Sequence, residues 1–251
     1  MLRVINEIVG YMLFAQDGEV GQCHDFLFDD RSWVVRYMVA KTATWLPGRK
    51  VIISPVFIGE PEWVDAVLPL RLSREQIEQS PPLDEHAPVS RQYEINYHQY
   101  YALPFYWLGQ ALSGTYPNPA GVIHPVPDKP VPEVDENEVA EGHLRSVKEV
   151  SGYHIAAVDG EVGHVEDFLV DDITWVLRYL VVDTRNWLPG RKVLISPQWI
   201  KSIHWVDEMV YLDLDTDAIK DSPEFDPSQP VNRQYEIELY DYYGRSHYWK
   251  P

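Results

Sequence analysis

Acidic residues gather at two places in this sequence, and carboxylates at that density could hold a cation. Asp25, Asp29 and Asp30 lie close together, and Asp167, Asp171 and Asp172 repeat their spacing. A hard ion such as Ca²⁺ takes several oxygens at once, but no full coordination loop surrounds either group. The competing reading is that these acids form a turn, bond their own backbone and pair with Arg36 or Arg178. The turn reading is preferred, and no metal site is expected.

The other chemistry-bearing residues are weaker candidates. None of the nine histidines recurs at the offset of 142 that relates the two acidic groups: His24 faces Glu166, and His164 faces Gln22. A metal or acid–base site older than the duplication would tend to be present twice. Ser54 and Ser196 each precede a proline, which suits the end of a strand better than a nucleophile. Cys23 is the single cysteine, faces Val165 in the other copy and reads as a small buried apolar residue. No catalytic residue, cofactor or metal ligand is assigned.

Basic and aromatic pairs remain as interaction candidates. The hexapeptide Trp45-Leu46-Pro47-Gly48-Arg49-Lys50 returns as Trp187-Leu188-Pro189-Gly190-Arg191-Lys192. Arg49, Lys50, Arg191 and Lys192 could hold a phosphate or a partner's carboxylate; pairing with the abundant local acid is favoured. Trp45 and Trp187 at a loop tip suit either an interface anchor or a plug at the end of a fold. Tyr97, Tyr101, Tyr106, Trp107, Tyr243, Tyr248 and Trp249 complete the candidate interaction surface.

These residues sit on a duplicated framework. The two copies align without a gap from Gly10 with Gly152 to Trp107 with Trp249, a span of whole-domain size rather than a short solenoid repeat. Within a copy the local signals are mostly β. Asp17-Gly18 and Asp159-Gly160 mark hairpins between strands near 8–15 and 19–28. A third strand over 33–41 is apolar on both faces, with Trp33, Val35, Tyr37 and Val39 on one and Arg36 among apolar residues on the other. Leu-Pro-Gly reads as a type II turn. Further strands are expected over 49–54 and 63–72, and short helices from 73 to 79 and from Thr216.

Each copy ends in an aromatic tail. Tyr93, Tyr97, Tyr100 and Tyr101 fall on one face of a helix that Ser90 caps; Tyr235, Leu239, Tyr242 and Tyr243 follow Asn232 in the same way. The tyrosine hydroxyls need partners, so the helix is expected over a sheet, its own or its sibling's. The boundaries read as 1–107 for the first repeat, 108–148 for a Pro-rich, acidic linker and 149–251 for the second repeat. The linker composition suits an extended spacer.

The bulk numbers limit function. A net charge of −18 disfavours nucleic acid and anionic lipid. No membrane span is expected. The lone cysteine fits a reducing compartment, and a cytoplasmic location is the expectation.

The ordered set Gly-Tyr, Asp-Gly-Glu-Val-Gly, Asp-Phe-Leu, Asp-Asp, Trp-Val-x-Arg-Tyr, Trp-Leu turn and Ser-Pro resembles the PRC-barrel family, over about residues 3–78 and 145–220. That family includes the cytoplasmic domain of the photosynthetic reaction centre H subunit and the C-terminal domain of a ribosome maturation factor. The resemblance implies a mainly β fold of two tandem small antiparallel barrels, each followed by a short Tyr-rich helix. The H subunit has a membrane helix ahead of its barrel and the maturation factor a different N-terminal domain; neither feature is matched here. The expected function is a non-enzymatic protein-interaction or scaffold module with an unidentified protein partner. The alternative is an H-subunit-like accessory role at photosynthetic or electron-transfer membranes by peripheral association. A metal- or small-molecule-dependent enzyme is a third class. The two repeats are expected to form an intrachain pseudo-dimer in which Tyr93–Tyr101 crosses to, or lines the seam with, the other half; further homo-oligomerisation is left open.

Overall fold

The computed structural model describes residues 1–42, 46, 49–83, 88–108, 143–184 and 191–249. The chain is mainly β and divides into two compact units. One consists of Ile8–Ser146, the other of Met1–Glu7 with Val147–Pro251.

In chain order the strands are β1 (Leu2–Val4), β2 (Met12–Ala15), β3 (Gly18–Asp29), β4 (Val34–Thr42), β5 (Lys50–Ile53), β6 (Val67–Pro69) and β7 (Leu144–Ser146). They continue with β8 (His154–Ala156), β9 (Glu161–Asp171), β10 (Leu177–Asp183), β11 (Lys192–Ile195), β12 (Ile200–His204) and β13 (Met209–Leu212). The unit containing Ile8–Ser146 has a sheet ordered β5-β4-β3-β2-β6, with β7 also pairing β3. The other has a sheet ordered β11-β10-β9-β8-β13-β12, with β1 also pairing β9. The ladders are not all antiparallel: β2 runs parallel to β6, and β8 to β13.

The leading strand of each repeat therefore belongs to the unit built by the other repeat. β1 pairs Leu2 with Asp171, Arg3 with Val170 and Val4 with Leu169. β7, which falls inside the sequence-defined linker, makes the equivalent pairs Leu144–Asp29, Arg145–Phe28 and Ser146–Leu27. Repeat boundaries at 1 and 149 do not describe this exchange. The remainder of the linker, 109–142, lies outside the described residues, as do Trp45, Pro47, Gly48, Trp187 and the Leu188-Pro189-Gly190 turn.

Three other elements differ from expectation. The segment Ile5–Ile8 is a helical turn, so the strand expected from 8 begins at Met12. Trp33 takes a left-handed backbone (φ 57°) and stacks on Phe28 at 5.2 Å instead of opening β4. The segment expected as one strand over 63–72 keeps only β6, because the chain turns back through Ala66 at φ 55°. In the second repeat the corresponding turn joins β12 to β13 through Glu208 at φ 53°.

β4 is buried on both faces, as its apolar pattern requires: Val34, Val35, Arg36, Tyr37, Met38, Val39 and Ala40 are all buried. The helix Arg91–Tyr100 covers one of them. Its cap is the expected one, the Ser90 side chain accepting from the Tyr93 N–H, and Asn232 does the same for Tyr235 at the start of Arg233–Tyr242. The bonds described for the first Tyr-rich helix lie within its own unit. Tyr97 is fully buried against Tyr37 of β4, with ring centroids 5.2 Å apart, and its hydroxyl accepts from the Ser54 N–H at 2.9 Å. Tyr93 donates to the Pro81 carbonyl and Tyr100 to the Gln76 carbonyl, each at 2.9 Å. Every one of these hydroxyls is satisfied within its own unit, which fixes where the helix sits.

Candidate functional site

Beneath the Tyr-rich helix lies a cluster that is present twice. Glu94 is buried, and its Oε1 accepts from the hydroxyls of Tyr106 at 2.6 Å and Tyr37 at 3.1 Å. Its Oε2 meets Arg91 at 2.7 Å. In the other unit Glu236 accepts from Tyr248 at 2.8 Å and Tyr179 at 2.9 Å and pairs with Arg233 at 2.9 Å. The arginines also lie over rings: Arg91 is 4.3 Å from the Trp107 centroid and Arg233 4.1 Å from that of Trp249.

A third arginine reaches the cluster through a strand irregularity. Between the pairs Leu27–Tyr37 and Phe28–Val35, Arg36 is the extra residue of a β-bulge. Arg178 occupies the same place between Leu177 and Tyr179. A bulge re-aims a side chain that strict alternation would send to the opposite face. It brings Arg36 to 3.9 Å from the Tyr106 ring and Arg178 to 4.2 Å from the Tyr248 ring.

The copies differ where His98 stands in the first and Tyr240 in the second. His98 donates from Nδ1 to the Pro104 carbonyl at 2.8 Å, so its Nε2, 2.9 Å from the Tyr37 hydroxyl, competes with Glu94 for that hydroxyl's single proton. Burial lowers its pKa to about 4, so the ring is neutral. Tyr240 stands there in the second repeat and reaches Ser196 instead, at 3.4 Å. Burial pushes Tyr37 and Tyr106 well above the usual phenol range, and Glu94 above the usual carboxylate range. The polar atoms of Glu94 are spent on one another's partners, which suits anchoring the helix to the sheet.

The acidic groups serve turns and the exchanged strands. Asp29 Oδ1 accepts from the N–H groups of Arg31 and Ser32, and Asp171 Oδ1 from those of Ile173 and Thr174. Asp30 pairs with Arg145 at 3.1 Å, and Asp172 with Arg3 and the N-terminal amine. Asp25 accepts from Ser146 Oγ at 2.5 Å. Among the described residues no three His, Cys, Asp or Glu side chains converge as metal ligands would.

Asp167 makes a testable prediction. It is buried, and that burial pushes its carboxyl up to about 6, against the bonds it accepts from the N–H groups of Phe168 and Asn6. The folded state then holds this proton more tightly than the unfolded chain, where aspartate titrates near 3.9. Stability contributed by the protonated acid is present below about pH 4 and lost as pH rises to about 6. Asp167→Asn is expected to stabilise its unit by about 1–3 kcal/mol at pH 7 and by nothing at pH 4. Thermal melts across that range check it; an equal change at both ends would contradict it.

Of the two basic pairs, the arginines hold carbonyls instead of the acid expected. Arg49 donates to the carbonyls of Glu78 and Ser80, both at 2.8 Å, and Arg191 donates to that of Ser222. These arginines hold carbonyls at or just past the end of a short helix rather than local acid, a favourable place for a cation. Lys192 does pair with acid, Glu166 at 2.7 Å, while Lys50 opens β5 half-buried. Tyr97 and Tyr106 are buried and cannot touch a partner; Tyr101, Trp107, Tyr243, Tyr248 and Trp249 are half-buried.

Surface features missed in the sequence are the tips at Trp63-Val64-Asp65 and Trp205-Val206-Asp207. Val64 is 97% exposed and Val206 96%. Each neighbouring Trp packs on a tyrosine, Trp63 edge-on to Tyr11 at 6.2 Å and Trp205 tilted against Tyr153 at 6.1 Å. Exposed acids flank both: Glu60, Glu62 and Asp65 at one, Asp207 and Glu208 at the other. The same tripeptide at the offset of 142 was the available signal. The partners of Glu94 could also have been found this way, since Arg36, Tyr37, Arg91 and Glu94 all recur.

No protein-family model and no curated protein matches the chain. Among the described residues no helix is long and apolar enough to cross a membrane.

Proposed function

We propose that this chain is a non-enzymatic interaction module of two tandem PRC-barrel-like domains that engages a protein partner through its twin tips. The observation that carries the reading is the near-complete exposure of Val64 and Val206 at matching turns. A valine in that position buries nothing in its own fold, so folding gives no reason to keep it in both copies. A half-buried indole beside it supplies the kind of anchor that interfaces use. The exposed acids around each tip favour a partner whose apolar contact is rimmed by Lys or Arg. The sheets and the Glu94 and Glu236 clusters act, in this reading, as rigid supports.

The test is Val64→Asp with Val206→Asp in the full chain. Partners cross-linked from native lysate by the wild-type chain are expected to fall at least about ten-fold, a loss of roughly 1.4 kcal/mol or more. The melting temperature should hold, since neither valine is packed. Undiminished capture by a normally folded double variant would refute the reading.

A further inference from the structure

The two leading strands occupy corresponding seats. β1 meets β9 through Leu2–Asp171, Arg3–Val170 and Val4–Leu169; β7 meets β3 through Leu144–Asp29, Arg145–Phe28 and Ser146–Leu27. Under the repeat offset these are the same three pairs. The flanking ion pairs also correspond, Arg3 with Asp172 at 3.5 Å and Arg145 with Asp30 at 3.1 Å. A seat built by one repeat thus accepts the strand of the other.

β1 is held by a short purchase. Its three residues are only half-buried, and the fully buried anchor is Ile5 in the turn that follows. A cleft of about 180 Å³ separates β1 from the loop 225–231, so its second edge is incompletely packed. Its few buried contacts place β1 among the first segments to open.

We propose that β1 also exchanges between molecules, so that the β1 of a second copy of this chain occupies the β9 seat and the chain forms strand-exchanged dimers. A second copy's strand is chemically identical, so every contact in the seat is kept. Only the effective concentration of the tethered strand opposes the exchange, and that opposition weakens as protein concentration rises.

The test uses full chains carrying Cys23→Ser. Leu2 and Asp171 face each other in register, and opposed residues in an antiparallel pair lie at about 4.5–5.5 Å, within reach of a disulfide. One chain carries Leu2→Cys and a differently tagged chain Asp171→Cys; they are mixed at rising concentration and oxidised. The expected result is a mixed disulfide dimer at least about ten-fold over the two same-chain dimers, because the seat aligns the unlike pair. A single chain carrying both cysteines should close its own bridge when dilute and link to other chains when concentrated. Mixed dimers at the statistical one-to-two-to-one ratio would overturn the proposal. So would a doubly substituted chain that bridges only within itself at every concentration, or that never bridges.

Discussion

Replacing Gly163 with alanine is expected to destabilise the unit containing β9 and β10 by about 3–5 kcal/mol. Gly163 takes φ +159°, and a Cβ there would stand 1.9 Å from the Asp183 carbonyl oxygen. That oxygen is backbone on the neighbouring strand, where Asp183 pairs with His164, so no side-chain rotation relieves the clash. The strands must separate by more than an ångström at a point where Asp183 and Thr184 are buried. Overpacking costs about 1–3 kcal/mol and the unfavourable backbone adds a similar amount. For a unit of this size the melting temperature should fall by more than about 10 °C. Gly152→Ala is the control. It also has a positive φ, +109°, but nothing lies within 4 Å of its Cβ, so strain of about 1 kcal/mol is all it should show. Equal effects of the two alanines would disprove the close-approach account.

Glu94→Ala should cost about 3–5 kcal/mol, and Glu236→Ala about 1–2. Both glutamates are buried and each binds two tyrosine hydroxyls and an arginine. Their arginines differ. The Arg91 side chain is 8% exposed, so removing Glu94 strands a cation out of water, the costly way to break a buried pair. Arg233 is 52% exposed and keeps its hydration when Glu236 goes; what is lost is mainly the two hydroxyl bonds. Hydrogen exchange of the helices Arg91–Tyr100 and Arg233–Tyr242 reads the two units separately in one chain. Arg91→Met combined with Glu94→Gln should recover much of the loss, because no buried charge remains. If the two alanine variants lost equal protection, burial of the arginine would not be what sets the cost.

The same asymmetry shows how far repetition in a sequence can be read. Arg91, Glu94, Tyr37 and Tyr106 recur with their spacing unchanged, and the two clusters have the same bonds. Their surroundings diverge at His98 and Tyr240: an imidazole nitrogen lies 2.9 Å from Tyr37 in one unit, and a second phenol reaches Ser196 in the other. Arg36 was legible as an odd charge on an apolar strand but not as a member of the cluster. Period-two alternation places it opposite Tyr37, and only the bulge brings the two together.

The sequence by itself determined the duplication, the dominance of β structure and the capped Tyr-rich helices. These follow from local causes: apolar alternation, side-chain oxygens at Ser90 and Asn232, and turn residues such as Asp29 and Asp171. Tertiary structure alone decided which sheet receives each leading strand, which strands run parallel and where the tyrosine hydroxyls find acceptors. The physical reason is that strands pair through backbone N–H and C=O groups common to every residue. The two seats share one backbone register, so the pairing pattern by itself does not distinguish them.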